Sequence, residues 1–330
     1  MIYPWQQSQW QQINQLLKAE RLPHAMILLG NEGLGKANFA TLLASAVLCQ
    51  QPTADLQACG VCKSCLLLAA NPYPDLYHIK PAAPPNSKSK NPVTSIRIDD
   101  IRLLCEKLSQ TSQYGGYRVA ILEQAEKLTL SAANSLLKTL EEPGGNVLIL
   151  LVSARPHRLP VTIRSRCQSL RFSEPDENIS LQWLQQNSQT KASTAQLQQA
   201  LKYAHGSPLA ALEHLQDIEH HQLLSDAMTA GISGKNSLDY AAKLTKFDKV
   251  QTLEGMLNWV SDLSRLRACG ADIDIINEQD RTKLQALANK VNDQQLFRFY
   301  DQLNFNLLHS SISVNEQLLW ENLLLSWGNL

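Results

Sequence analysis

Unbroken apolar runs punctuate the first half of the chain, and between them apolar side chains return every third or fourth position. "AMILLG" (25–30), "DLYHIK" (75–80), "YRVAILE" (117–123) and "NVLILLVS" (146–153) are short and bounded by polar or glycine-containing turns, so each predicts a strand, the first a buried one. "CQSLRF" (167–172) is a candidate fifth strand. The segments between them have helical spacing. "ANFATLLASAVL" follows the first run, and "IRIDDIRLLCEKLSQTS" places Ile98, Ile101, Leu104, Cys105 and Leu108 on one face. "LSAANSLLKTLEEP" is helical until Pro143 stops it. Strands alternating with helices predict an α/β unit, a parallel sheet with helices on both faces.

Beyond "SEPDEN" (173–178), a linker by composition, the strand pattern disappears and Leu-rich helical stretches run to the end, from "ISLQWLQQ" to "NEQLLWENLLLSW". Gly206 and Pro208 break this all-α part, and a split near 213 is expected. "KPAAPPNSKSKNPVTS" (80–95) has the Pro, Ser and Lys content of a surface excursion. No exact internal repeat is present.

Composition sharpens this picture modestly. A chain of 330 residues with 44% apolar content suits two or three domains with real cores. Thirty basic and thirty acidic residues cancel, so no global field draws the protein to nucleic acid or membrane, and any basic surface is local. The start, "MIYPWQQSQW", has no cationic segment leading into an apolar one, and "VLILLV" (147–152) is too short to span a bilayer. A soluble, cytoplasmic protein is expected. Thiols stay reduced in that compartment, which favours metal over disulfides for clustered cysteines.

Two motifs suggest chemistry. The first, "GNEGLGKA" (30–37), matches a phosphate-binding loop until its last position. Gly30, Gly33 and Gly35 let backbone N–H groups curl around phosphates, Lys36 reaches the terminal ones, and the following helix points its positive end at them. A Ser or Thr normally follows the lysine to hold Mg²⁺, but Ala37 has no oxygen to offer. The alternative is a relic turn that packs without binding. A hydrolytic site also needs an acidic metal holder at a strand end. Glu123 stands there, followed by Gln124, with Glu126 as the next carboxylate on an expected helix. The bland alternative is a solvated strand end.

The second motif is "CQQPTADLQACGVCKSC" (49–65), which holds Cys49, Cys59, Cys62 and Cys65. Two overlapping C-x2-C steps bring three thiolates together, and the fourth closes a tetrahedron. Four sulfur ligands make a structural Zn²⁺ site with no open position for catalysis. The alternative is a set of reduced cysteines in a small loop. Cys105 and Cys269 are expected as small buried hydrophobes. Finally, "SARPHRLPVTIRSRCQSLRF" (153–172) concentrates Arg155, Arg158, Arg164, Arg166 and Arg171 against a neutral background. That suits either a phosphate patch, for DNA or for a neighbour's nucleotide, or a solvated face with ion pairs.

Taken together, "HAMILLGNEGLGK", the four-cysteine insertion, "NSLLKTLEEP" and "LPVTIRSRC" occur in an order and at separations that resemble the AAA+ clamp-loader family of the bacterial DNA polymerase III holoenzyme, its delta-prime branch in particular. The resemblance runs over essentially the whole chain and is strongest over 22–172. It implies an AAA+ domain at 1–172 with a zinc module at 49–70, a helical lid at 173–213 and a helical collar at 214–330. It implies a non-hydrolysing stator in a hetero-pentameric ring with gamma/tau and delta subunits, which opens a sliding clamp and loads it on primed DNA. It also implies that Arg166, in the S-R-C motif, is an arginine finger offered in trans to a neighbour's ATP. Ala37, Glu123–Gln124 and Leu209, the last where active relatives carry a sensing arginine, depart from a working ATPase. Ser153 matches the first sensor position. ATP or ADP binding at Gly30, Gly33, Gly35 and Lys36 stays open, as do the alternatives of an active gamma/tau-type ATPase, a zinc-dependent DNA-binding protein and a small-molecule P-loop kinase.

Overall fold

The computed structural model describes residues 1–70, 73–83, 94–114, 116–188, 192–215, 218–232, 237–310, 312 and 314–330. They form two compact units, one ending at Ile179 and the other beginning at Ser180.

The first unit is built on five strands: β1 (Ala25–Leu29), β2 (Leu76–Ile79), β3 (Arg118–Leu122), β4 (Val147–Ser153) and β5 (Gln168–Arg171). Their order across the sheet is β2-β3-β4-β1-β5, and every pairing is parallel. Each strand coincides with one of the five apolar runs. The register follows from alternation. Met26 and Leu28 of β1 share one face with Val119, Ile121, Leu148, Leu150 and Leu170, while Ala25 and Ile27 share the other with Ala120, Leu122, Ile149 and Leu151. Both faces are apolar because both are covered.

Helices α1 (Gln7–Lys18) and α2 (Lys36–Leu48) cover the first face. Trp10 and Phe39 meet edge-on at 5.6 Å, and Phe39 meets Phe172 at 5.0 Å. A short helix, α3 (Lys63–Ala70), follows α2. Helices α4 (Ile98–Ser109) and α5 (Leu130–Glu141) cover the second face through Ile101, Leu104, Leu108, Ala132, Ala133, Leu136 and Leu140. The turn of helix α6 (Val161–Arg164) adds Ile163 beneath β5. Helix α4 begins later than its pattern suggests. Ile96 is instead drawn into a bridge with Leu128, and Asp100 accepts from the Arg97 backbone at 3.1 Å to start the helix. Most of the Pro- and Lys-rich stretch 80–95 lies outside the described residues, but Ala82 and Ser95 pair across its base.

The second unit contains helices among its described residues and no strand. α7 (Glu177–Asn187) runs into it, followed by α8 (Thr194–Tyr203) and α9 (Pro208–His214). These three share a small core of Leu184, Leu197, Ala200, Leu201, Ala211 and Leu215. The expected break is real: Gly206 has φ 79° and Pro208 opens α9. α10 (Ile218–Ile232), α11 (Ser237–Leu244), α12 (Lys249–Cys269), α13 (Arg281–Ala288), α14 (Asp293–Leu308) and α15 (Glu316–Gly328) form a larger bundle around Trp259, Trp320 and Trp327. A polar chain ties the two helical cores together. The Tyr203 hydroxyl donates to Asn277 Oδ1 at 2.8 Å, and Asn277 Nδ2 donates to buried Asp262 at 2.7 Å. Cys269 departs from the expectation of burial. It is the last residue of α12, beyond the last buried position Leu266, and is exposed. Cys105 is half-buried against the sheet unit's second core. No helix among the described residues is long and apolar enough to cross a membrane.

Candidate functional site

The phosphate loop leaves the C-terminal end of β1 and leads into α2. Gly30 has φ +149°, and a Cβ there would lie 2.3 Å from the Phe172 carbonyl oxygen, so only glycine lets the loop pass the end of β5. Gly33 and Gly35 both have φ 77°. Lys36 is buried and turns back on the loop. Its ammonium donates to the carbonyls of Gly30 at 2.7 Å and Asn31 at 2.5 Å. Burial pulls its pKa down from 10.5 to about 8, partly offset by the carboxylates of Glu32 and Glu126.

A second set of contacts closes the loop from outside. The N-terminal turn Pro4–Gln6 lies across it, with Trp5 Nε1 donating to the Leu34 carbonyl at 3.1 Å and Gln6 Nε2 to Leu34 and Gly35 at 2.9 and 3.0 Å. Tyr3 stacks on Trp5 at 4.9 Å, and its ring is 2.6 Å from where a Gly35 Cβ would stand. The sequence pattern did not expose this strap. Its only signal is an apolar "YPW" ahead of the first polar helix.

The acidic strand end is committed elsewhere. Glu123 Oε1 lies 2.6 Å from His78 Nε2 and 3.2 Å from Lys80 Nζ, both on the neighbouring β2 side. Gln124 takes the left-handed conformation, φ 48°, and turns the chain sharply. Glu126 therefore sits in a 3-10 turn, Ala125–Lys127, rather than on the expected helix. Its Oε1 accepts from Ala154 N at 3.4 Å, and its Oε2 is buried without a hydrogen-bond partner among the described residues. Ser153, at the end of β4, is buried and accepts from Arg155 N at 3.2 Å. Leu209 lies in the first turn of α9, in the other unit.

Arg166 lies at the opposite end of the sheet. β5 runs parallel to β1 with Gln168 opposite Met26 and Arg171 opposite Leu29. The residue two positions before Gln168 is thus at the N-terminal edge, while the phosphate loop leaves the C-terminal edge. Six residues of extended chain from Arg166 to Phe172 span ~20 Å, further than an arginine side chain reaches. The guanidinium is held by Glu141 through Nε at 2.8 Å and through Nη2, and by the Thr162 carbonyl at 3.0 Å and Ser165 Oγ at 3.3 Å through Nη1. Burial pushes the neighbouring Cys167 thiol up to about 12, which keeps it neutral beneath the turn. The five arginines form no single patch. Arg155 and Arg158 follow β4 at one edge, whereas Arg164 and Arg166 precede β5 at the other.

The four cysteines meet between α2 and α3. Cys49 and Cys62 Sγ are 3.8 Å apart, Cys59 and Cys65 3.9 Å, and Cys49 and Cys65 3.6 Å; all four lie within 4.8 Å. A tetrahedral ion at ~2.3 Å from each sulfur requires separations of about 3.8 Å, whereas a disulfide requires about 2.05 Å. The cluster is therefore compatible with structural zinc. Backbone donation, chiefly at Cys65, pulls the Cys62 thiol down to about 6, while burial pushes Cys65 up to about 12. Cys59 N donates to Cys49 Sγ and Cys62 N to Cys59 Sγ, both at 3.3 Å. Gly60, φ 77°, makes the knuckle. Trp10 and Asn14 of α1 donate to the Asp55 carbonyl at 3.3 and 3.1 Å, which fastens the loop to the core.

A parallel sheet in the order β2-β3-β4-β1-β5, with a phosphate loop between β1 and α2 and helical parts following, defines an AAA+ module. Residues 5–176 match the family described as DNA polymerase III, delta subunit; residues 175–216 match the AAA+ ATPase lid domain of DNA polymerase III subunit delta', and residues 214–329 match the C-terminal family of the DNA polymerase III delta subunit. The chain belongs to the DNA polymerase III delta-prime family of clamp-loader proteins. DNA polymerase III subunit delta' of Yersinia pestis is 32% identical over 98% of this chain and 95% of that one. The Pseudomonas aeruginosa subunit is 41% identical over 64% of this chain and 60% of its own length, and the Escherichia coli subunit 35% over the same shares. Among solved structures, a gamma-subunit-related protein of Thermotoga maritima is similar at a TM-score of 0.49 and 18% identity, over 97% of this chain and 99% of that one.

The buried lysine generates a prediction with a definite sign. Below pH 8 both folded and unfolded chains carry the Lys36 proton, and the burial penalty is present in full. Between about 8 and 10.5 the folded state loses the proton first, so wild-type stability rises relative to Lys36→Met. The stability of Lys36→Met minus that of wild type, measured by urea unfolding, should be most positive below pH 8 and fall towards pH 10.5. A pH-independent difference contradicts the assignment.

Proposed function

We propose that this chain is a non-hydrolysing stator of the DNA polymerase III clamp loader that donates Arg166 to the ATP site of a neighbouring subunit. The observation that carries the reading is the separation of Lys36 and Arg166 to opposite edges of one parallel sheet. An arginine there serves a phosphate bound to another subunit, not to its own. A guanidinium at a neighbour's γ-phosphate neutralises charge that builds up during transfer. Its fixed fork offers two-pronged contact that lysine lacks.

The chain's own loop supports the same reading. Ala37 supplies no Mg²⁺ oxygen, Glu123 is paired with His78 and Lys80, and Gln124 cannot act as a base. Gly30, Gly33, Gly35 and Lys36 retain the form of a nucleotide cradle, in which ATP or ADP binding would be structural. The partners of this reading are gamma/tau and delta subunits in a hetero-pentameric ring, a sliding clamp and primed DNA, in the cytoplasm. Its domains are an AAA+ module at 1–172, a lid at 173–213 and a collar at 214–330. A DNA-reading role for the cysteine module finds little support, since Lys63 is its only basic residue and lies 5.3 Å over the Tyr114 ring.

Cys49, Cys59, Cys62 and Cys65 would hold Zn²⁺. The ion would supply four bonds where an excursion of this size has too little apolar area to fold alone. Four thiolates this close ionise together only around a cation. Protein purified without chelator is expected to carry one zinc per chain. Chelation should open 49–70 to protease while the sheet persists, and Cys62→Ser should lower the zinc content. Metal-free protein with the same protease resistance contradicts the zinc site.

In a reconstituted complex, Arg166→Ala should leave assembly intact and slow ATP turnover at the served site by about 10³-fold or more. The complex then loses that site's share of clamp- and DNA-stimulated turnover, and Arg166→Lys does not restore it. Full turnover by Arg166→Ala contradicts the finger.

A further inference from the structure

Glu141 is the last residue of α5, where a helix's partial negative charge disfavours an anion. Its placement therefore does not serve the helix. What it meets is Arg166, twenty-five residues on in the chain. Oε1 accepts from Nε at 2.8 Å and also from Nη2, so a single carboxylate oxygen is gripped by the inner edge of the guanidinium. Nη1 bonds the Thr162 carbonyl at 3.0 Å and Ser165 Oγ at 3.3 Å, both within the same turn. The Arg166 side chain is one-third exposed, so the group is fixed yet accessible.

We propose that Glu141 is a positioning residue for Arg166, orienting the guanidinium so that its outer Nη1/Nη2 edge is presented to the neighbour's phosphate. The proposal rests on the reading of Arg166 as a finger. An unrestrained arginine gives up its rotamer freedom when it meets the phosphate. Here the carboxylate removes that freedom beforehand, and the encounter proceeds with a group already in plane. The grip on Nε and Nη2 leaves one Nη2 hydrogen free of these contacts. The Nη1 contact to Ser165 is the longest of the set, and that hydroxyl also donates to the Thr162 carbonyl at 3.2 Å. Phosphate can replace the Ser165 contact without displacing Glu141.

The test is ATP turnover in the reconstituted complex, with kcat and KM measured separately. Glu141→Ala should lower kcat at the served site on the order of tenfold and leave KM for ATP unchanged. Glu141→Gln should keep most of the rate, since an amide oxygen still accepts from Nε and Nη2. Glu142→Ala removes the same charge one residue away and should change nothing. Glu141→Ala added to Arg166→Ala should have no further effect, because the two residues act as one unit. Three outcomes overturn the proposal: turnover that rises in Glu141→Ala, which makes the carboxylate a competitor of the phosphate; turnover that is unaffected; and losses that add to those of Arg166→Ala. Full turnover by Arg166→Ala alone sinks the finger reading itself, a result distinct from any Glu141 failure.

Discussion

The parallel pairing of β1 between β4 and β5 is the constraint on which the chemistry of this chain depends. It brings the end of β1 against the end of β5 so closely that a side chain at Gly30 would run into the Phe172 carbonyl. It sets Ser153 beside Leu29. By the same register it sends the turn before β5, and Arg166 with it, to the far edge. Parallel strands have a direction, and that direction separates the Gly30–Lys36 loop from Arg166. Both faces of the central strands are buried, so the register of β1 cannot slip by one residue without turning Met26 and Leu28 against the wrong helices.

The two edges differ in how they are stabilised. At the loop edge, Lys36 is enclosed by its own loop's carbonyls, and the Pro4–Gln6 strap satisfies Leu34 and Gly35 from outside. Backbone carbonyls in a tight loop need donors, and here the chain supplies them. Glu123 is likewise neutralised by neighbours on the β2 side. At the other edge, Arg166 is held by one exposed carboxylate and a turn's oxygens. An exposed pair of this kind adds little to stability, but its three acceptors fix the orientation of the guanidinium.

Much of this was legible in the sequence because it is local or periodic. The three central strands, β1, β3 and β4, announce themselves as doubly buried runs, while the edge strands β2 and β5 are partly exposed and carry weaker patterns. The cysteine cluster is recognisable because its ligand spacing is short, and the phosphate loop because its glycines lie at fixed offsets. What escaped depends on contacts between distant residues or on single dihedrals. The Gln6 strap joins positions 28 and 29 residues apart, and a glutamine carries no hint that it will be fully buried. Glu141 and Arg166 meet only because α5 and α6 pack on the same face. Gln124 adopts a left-handed turn that nothing in "LEQAEK" demands, and this moved Glu126 off the expected helix. Cys269 was misplaced because a helical stripe does not say where its helix stops being covered.

The measurement that bears most directly on the central claim is ATP turnover by the reconstituted complex with Lys36→Ala in this chain. If the chain works in trans, as proposed, the complex assembles and turns over ATP at the unaltered rate. A fall in turnover with assembly, the fold of this chain and its nucleotide content all unchanged would mean that this loop cleaves ATP itself, and the stator account would be wrong.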